Sequence, residues 1–233
     1  MIVLTPGAEA VQLDVQDDRA IAALAETARR MFDLDVDPAA VARTLGRDPV
    51  LRPLVRTHRG IRVPGAADGF ELAVRAIIGQ QVSVAGARTM LGRVAARFGT
   101  PLPSGRGGVV TPFPDATRLT EAPLEELGVT SRRADAIRRV ATLVAVGELE
   151  LSGRGDPDAS VATLLEVSGI GPWTCEYVRM RAFGDRDAFP AGDLGVRRAF
   201  ERLGLEATPR AVADRAEAWR PWRAYAAMLL WAA

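Results

Sequence analysis

The chain has 233 residues, 48% of them hydrophobic, enough for one large domain or two small ones around a real core. Its formal charge is only +1, so a polyanion would have to be held by local arginines and backbone amides rather than by a global basic field. One cysteine (Cys175) and one histidine (His58) exclude a disulfide framework, a zinc site and a four-cysteine iron–sulfur cluster. Along the chain, residues 1–15 alternate loosely and are expected to form one or two strands. Ile21, Leu24, Ala25, Ala28 and Met31 fall at helical spacing, with Asp17 or Asp18 as the cap. Pro38 opens a short helix ending near Gly46, and 47–68 is a connection or short helical turns. Asp68 caps a strong helix whose Phe70, Val74, Ile77 and Ile78 share one face. Gly79–Ser83 breaks it, and a second helix runs from about Val84 to Phe98.

A Pro- and Gly-rich loop is expected over 99–116, then short helices around 117–127 and 131–147. Ser160 is the expected cap of a helix reaching Val167, and Pro172 starts another that runs to Phe183. A loop over 184–192 leads to a helix beginning near Asp193, and the last two helices cover roughly 209–218 and 221–232. Strand signals are nearly absent after residue 15, so the fold class expected is all-α. No run of about 18 apolar residues is present, which predicts a soluble, intracellular protein with no membrane partner.

The segment Leu165-Glu-Val-Ser-Gly-Ile-Gly-Pro-Trp-Thr174 reads as two helices joined by a Gly-Ile-Gly turn. Glycine permits φ > 0 and close backbone approach, while Ile170 tucks between the helices. Amides of Gly169, Gly171 and Thr174 then stand at a helix N-terminus, an anion site that suits a DNA phosphate. Backbone carbonyls of Leu165, Val167 and Ile170 offer a place for one structural Na or K ion. An ordinary glycine-rich corner between two helices fits this segment as well. Trp173 and Tyr177 lie four apart on one helical face, and Asp193 follows Trp173 by twenty residues. On its own, Asp193 reads first as the cap of the helix that starts at Leu194.

Three segments in this order resemble the helix-hairpin-helix DNA glycosylase superfamily, most closely its 3-methyladenine DNA glycosylase II family. They are Phe70–Val84, Leu165–Asp193, and Arg220-Pro-Trp-Arg-Ala-Tyr225 through Trp231. The resemblance covers most of the chain from about residue 30 and implies two helical lobes around a cleft. The implied lobes are about 69–185, and 36–68 with 186–233. Full-length members carry a small antiparallel β domain in front, of which residues 1–35 correspond to the last strand and helix, a truncated N-terminal segment.

By resemblance Asp193 is the catalytic aspartate, and Trp173, Tyr177 and Trp231 line the pocket for an extruded base. Trp222 and Tyr225 are read as core. Gln81 occupies the position of the wedge that fills the gap left in the duplex, and Gln80 and Ser83 are expected backbone contacts. Glycoside hydrolysis ordinarily uses two carboxyl groups, one of them protonating the leaving group. An alkylated purine already carries positive charge, so one carboxylate suffices to stabilise the sugar cation or orient a water. Bifunctional relatives place a lysine two residues after the last hairpin glycine. Here that residue is Trp173, and all 30 basic residues are arginine. A lysine-dependent lyase step is thereby excluded.

The function these features imply is monofunctional N-glycosylase removal of alkylated bases from damaged duplex DNA, initiating base excision repair. A monomer without cofactor is expected, in the bacterial cytoplasm on the nucleoid. A relative acting on deaminated purines, a DNA-binding module without activity and a lesion sensor are the alternatives.

Overall fold

The computed structural model describes residues 2–6, 11–15, 21–102 and 111–233. Strands β1 (Ile2–Pro6) and β2 (Val11–Val15) pair antiparallel, Ile2 opposite Val15, which is one strand more than the resemblance implied. Among the described residues everything after them is helix, turn or loop. Helix α1 covers Ile21–Met31; its expected cap, Asp17 or Asp18, lies outside the described residues.

Local chemistry sets most boundaries. Helix α2 (Pro38–Leu45) starts where Asp37 accepts a hydrogen bond from the Ala39 amide (2.8 Å), with proline in the first turn. The stretch left open by its prolines holds one true helix, α3 (Leu51–Thr57), launched by Asp48, whose Oδ1 accepts from the amides of Val50 and Leu51 at 2.8 and 3.2 Å. Asp68 caps α4 (Gly69–Gly79) as its position predicts, and Ser83, read from the sequence only as the end of the break, caps α5 (Val84–Phe98). Gly69 has a packing reason as well: a Cβ there would stand 1.9 Å from the carbonyl oxygen of Leu151. Residues 116–119 and 124–127 form short 3-10 turns, followed by α6 (Ser131–Ala145).

The expected start of the next helix is corrected by the structure. Helix α7 covers Pro157–Leu165, and its cap is Asp156, which accepts from the Asp158 amide at 2.9 Å. Ser160 lies inside α7 and is buried, its hydroxyl donating to the carbonyl of Glu150 at 2.8 Å. Asp and Ser are both good caps, and the proline after Asp156 decides between them. Helices α8 (Pro172–Ala182), α9 (Leu194–Arg202), α10 (Pro209–Ala216) and α11 (Arg223–Ala232) complete the chain.

Two hydrophobic cores organise these helices. One draws its buried residues from Phe70 to Ala182 on α4 through α8, with Ile77, Val94, Ile137, Leu164 and Val178 at its centre. The other gathers α2, α3 and α9 through α11 around Leu45, Leu51, Phe200, Trp219 and Tyr225. Helix α8 faces both: Val178 belongs to the first, Met180 to the second, and Tyr177 packs against each. Its N-terminal end therefore opens where the two lobes meet.

Candidate active site

At the hairpin between α7 and α8 the two glycines differ. Gly169 sits at φ +96°, where a side chain is strained, whereas Gly171 is extended at φ −120°. Gly171 stands at the N-cap of α8 and offers no side-chain oxygen, so the first amides of that helix lack a side-chain cap. Ile170 is buried, as its position between the helices predicts. The carbonyl of Val167 accepts from the Ile170 amide at 3.0 Å, while Leu165 closes α7 and is exposed.

The turn between α4 and α5 is tied to this hairpin. Gln80 donates through Nε2 to the carbonyl of Gly169 (3.1 Å) and to Oγ1 of Thr174 (3.0 Å). Arg133 in turn donates to the Gln80 carbonyl. Three of the residues expected to contact DNA also have structural partners here, and all three line the cleft described below. Gln80 Nε2 and Thr174 Oγ1 are hydrogen-bonded to each other, and Ser83 Oγ accepts from the Gly86 amide as the cap of α5. They shape the turn, while Gln80 Oε1 and the Ser83 O–H are left without a partner among the described residues. Gln81 behaves differently: it is exposed and held at φ +54°, a left-handed conformation uncommon for a residue with a Cβ.

The turn, the hairpin and the start of α9 line one open cleft of about 1000 Å3, with Gln81, Gly169, Trp173 and Asp193 on its walls. Three arginines on the same walls, Arg132, Arg133 and Arg198, were not singled out from sequence. A signal for two of them was present. Arg132 and Arg133 lie in the first turn of α6, which has no acidic residue there, against the preference set by the helix dipole.

Asp193 does two jobs in the geometry. As the cap of α9, its Oδ1 accepts from the Val196 amide at 2.9 Å. The same oxygen accepts from Trp231 Nε1 at 2.8 Å, and Oδ2 accepts from Trp173 Nε1 at 2.8 Å. Three N–H donors from three helices thus fix the carboxylate, and Oδ2 keeps a further acceptor direction. Gly195 gives this clamp its room. A Cβ there would lie 3.0 Å from Asp193 Oδ1 and 3.0 Å from the Trp231 ring.

The aromatic residues expected to form a pocket do meet. Trp173 and Tyr177 stack with centroids 5.5 Å apart and planes 17° from parallel, and Trp231 lies 6.4 Å from Tyr177 at 57°. What the spacing could not show is that both indoles also hold the carboxylate. Tyr225 is fully buried, its hydroxyl donating to Asp33 Oδ2 at 2.5 Å, and Trp222 packs on the second core. Among the described residues no group of three His, Cys, Asp or Glu side chains is placed to hold a metal ion. No described helix is long and apolar enough to cross a membrane.

Residues 3–68 match the family model for the AlkA N-terminal domain, and residues 74–224 match that for the HhH-GPD superfamily base excision DNA repair protein. The chain is 40% identical over 233 residues to a probable bifunctional transcriptional activator/DNA repair enzyme AlkA of Mycobacterium tuberculosis. That match covers 99% of this chain and 47% of the relative, so the chain spans about half the length of that protein. It is 36% identical to DNA-3-methyladenine glycosylase 2 of Escherichia coli, over 87% of this chain and 68% of the relative. A solved 3-methyladenine DNA-glycosylase from Archaeoglobus fulgidus superposes with a TM-score of 0.82 at 27% identity, over 99% of this chain and 81% of the other. On these matches, and with hairpin, cleft and carboxylate in place, the chain belongs to the HhH-GPD superfamily of base excision DNA repair proteins.

Proposed function

We propose that this chain is a monofunctional DNA N-glycosylase that removes alkylated bases of the 3-methyladenine and 7-methylguanine type from duplex DNA. The observation that carries the reading is the carboxylate of Asp193, held on the cleft wall by the indoles of Trp173 and Trp231 at 2.8 Å each. A bare phosphate-binding module has no use for a negative side chain fixed beside its anion site. A glycosylase does, because breaking the bond between sugar and base develops positive charge on the sugar.

In this mechanism the duplex lies across the cleft, its phosphates on the amides of the hairpin and on Arg132, Arg133 and Arg198. Gln81, exposed at the apex of its turn, enters the stack as the target base leaves it. The extruded base lies against Trp173, Tyr177 and Trp231, where a cationic purine gains roughly 1–2 kcal/mol from electron-rich rings once desolvated. Asp193 then stabilises the sugar cation or orients the attacking water through the remaining acceptor direction of Oδ2. No lysine exists in the chain to capture the resulting sugar aldehyde, so the product is an intact strand with an abasic site.

The partner is double-stranded DNA carrying damaged bases, bound by one copy of the chain, since hairpin, cleft and carboxylate all come from one polypeptide. Cytoplasmic action on the nucleoid follows from that substrate. No catalytic cofactor enters the scheme. The neutral carbonyl oxygens of Leu165, Val167 and Ile170 form a donor set that suits a monovalent cation, which would add positive charge beside the phosphate. The test is incubation with a duplex methylated at purines. Free 3-methyladenine should appear, with strands that break only after alkali. Duplex binding without base release would overturn the reading.

A further inference from the structure

The aromatic wall of the cleft has a charged backing. Helix α8 places Trp173, Tyr177 and Arg181 at successive four-residue steps on one face. Tyr177 stacks on Trp173, and the guanidinium carbon of Arg181 lies 5.6 Å from the Tyr177 ring centroid. Arg181 is half-buried and its Nε is fully buried with no hydrogen-bond partner. Among the described residues it forms no ion pair, whereas Arg179, two positions earlier, is held by Asp185 (2.6 Å) and Asp158 (2.5 Å). Arg181 also lines a small cavity of about 130 Å3 at the end of α8, and the nearby carboxylates there are engaged. Asp33 accepts from Tyr225 and Val63, Asp35 pairs with Arg29, and Asp185 pairs with Arg179. Among the described residues no carboxylate pairs with the positive charge beside Tyr177: Asp35 and Asp185 are each taken by another arginine, and Asp33, held only by neutral donors, forms no ion pair.

An aromatic stack attracts a cation through its negative faces, and a guanidinium already on one ring lowers what the stack offers a second cation. The charge also repels a cationic base directly across the rings. We infer that Arg181 is a specificity-determining residue: acting through Tyr177, it moderates the pocket's preference for cationic over neutral bases. The consequence is a broader lesion range, in which a neutral deaminated purine competes better than it would against an unbacked aromatic pocket. This inference rests on the glycosylase reading above, and its failure can be told apart from a failure of that reading.

The experiment compares wild type, Arg181→Met and Arg181→Lys in single-turnover excision of 7-methylguanine, a cationic base, and hypoxanthine, a neutral one, from defined duplexes. Met keeps the aliphatic contact with the ring and removes the charge; Lys keeps the charge. The ratio of cationic to neutral excision should rise about three- to tenfold in Arg181→Met. In Arg181→Lys it should stay near wild type. If hypoxanthine release by wild type is too slow to read, the 7-methylguanine rate alone should rise about threefold or more in Arg181→Met and not in Arg181→Lys. Should Arg181→Met fail to fold, Arg181→Gln takes its place. An unchanged ratio, or the same shift in Arg181→Lys as in Arg181→Met, overturns the inference. Absence of any excision by wild type overturns the glycosylase reading itself.

Discussion

Neighbouring residues of like chemistry have opposite fates at this site. Gln80 turns inward to tie the hairpin, while Gln81 stands exposed in a left-handed conformation at the cleft mouth. Spacing alone does not separate them, because the difference lies in one φ angle set by the turn; only the resemblance gave Gln81 the wedge position and Gln80 a backbone contact. The Asp193 clamp has the same character. Its carboxylate, Trp173 and Tyr177 were legible from spacing and motif. The direction of the two indole N–H groups was not, since it depends on where α8, α9 and α11 converge. The clamp also explains a glycine that spacing leaves mute. In Gly195→Ala the new methyl would press on Asp193 Oδ1 and on the Trp231 ring. Base excision should fall roughly 10–100-fold, because sub-ångström displacement of a catalytic group is costly, while the melting temperature stays nearly unchanged. Single-turnover rates and a thermal melt on the same preparation check this.

At the scale of elements, several helix starts were readable because Asp68 announces itself as a cap and Pro38 and Pro172 as first-turn residues. Helix α3 was obscured by the prolines around it, and its launch depends on Asp48, whose larger role is tertiary. That carboxylate also accepts from Trp219 Nε1 at 3.0 Å and pairs with Arg215, pinning α3 to the second core. Burial pushes its pKa up, but the hydrogen bonds from Trp219, Arg215, Val50 and Leu51 outweigh that and hold it below the ordinary value. A depressed folded pKa contributes stability above the unfolded value and loses it as pH falls through the folded one. Asp48→Asn is therefore expected to cost about 2 kcal/mol at pH 7, and the penalty should shrink below about pH 4, where wild type loses the same contribution. Urea unfolding at the two pH values measures it. The hairpin makes a separate prediction. A Cβ at Gly169 would meet only ordinary contacts, the nearest 3.5 Å away at Ala136, so Gly169→Ala reports backbone strain at φ +96° alone. About 1–2 kcal/mol of stability should be lost, and duplex affinity should fall with it as the turn relaxes.

At the scale of the whole molecule, two cores meeting along α8 create the cleft, and the family resemblance anticipated that arrangement. Composition anticipated the electrostatics: with a net charge of +1, only local groups can grip DNA. The three cleft arginines left unnoticed in the sequence, Arg132, Arg133 and Arg198, are the groups to which the proposed function gives that task. Counterion release from about three such contacts gives a slope of log K against log salt near −3, far shallower than for a strongly basic protein. Titrating duplex binding between low and physiological salt checks it, and a slope steeper than about −6 would mean that a wider basic surface takes part.

The most direct measurement compares wild type with Asp193→Asn on a methylated duplex, reading base release and duplex affinity together. Asparagine caps a helix as well as aspartate does, so α9 and the fold should stand. Release of 3-methyladenine should fall about 10³-fold with affinity little changed. Undiminished release by Asp193→Asn would contradict the assignment of this carboxylate as the catalytic group.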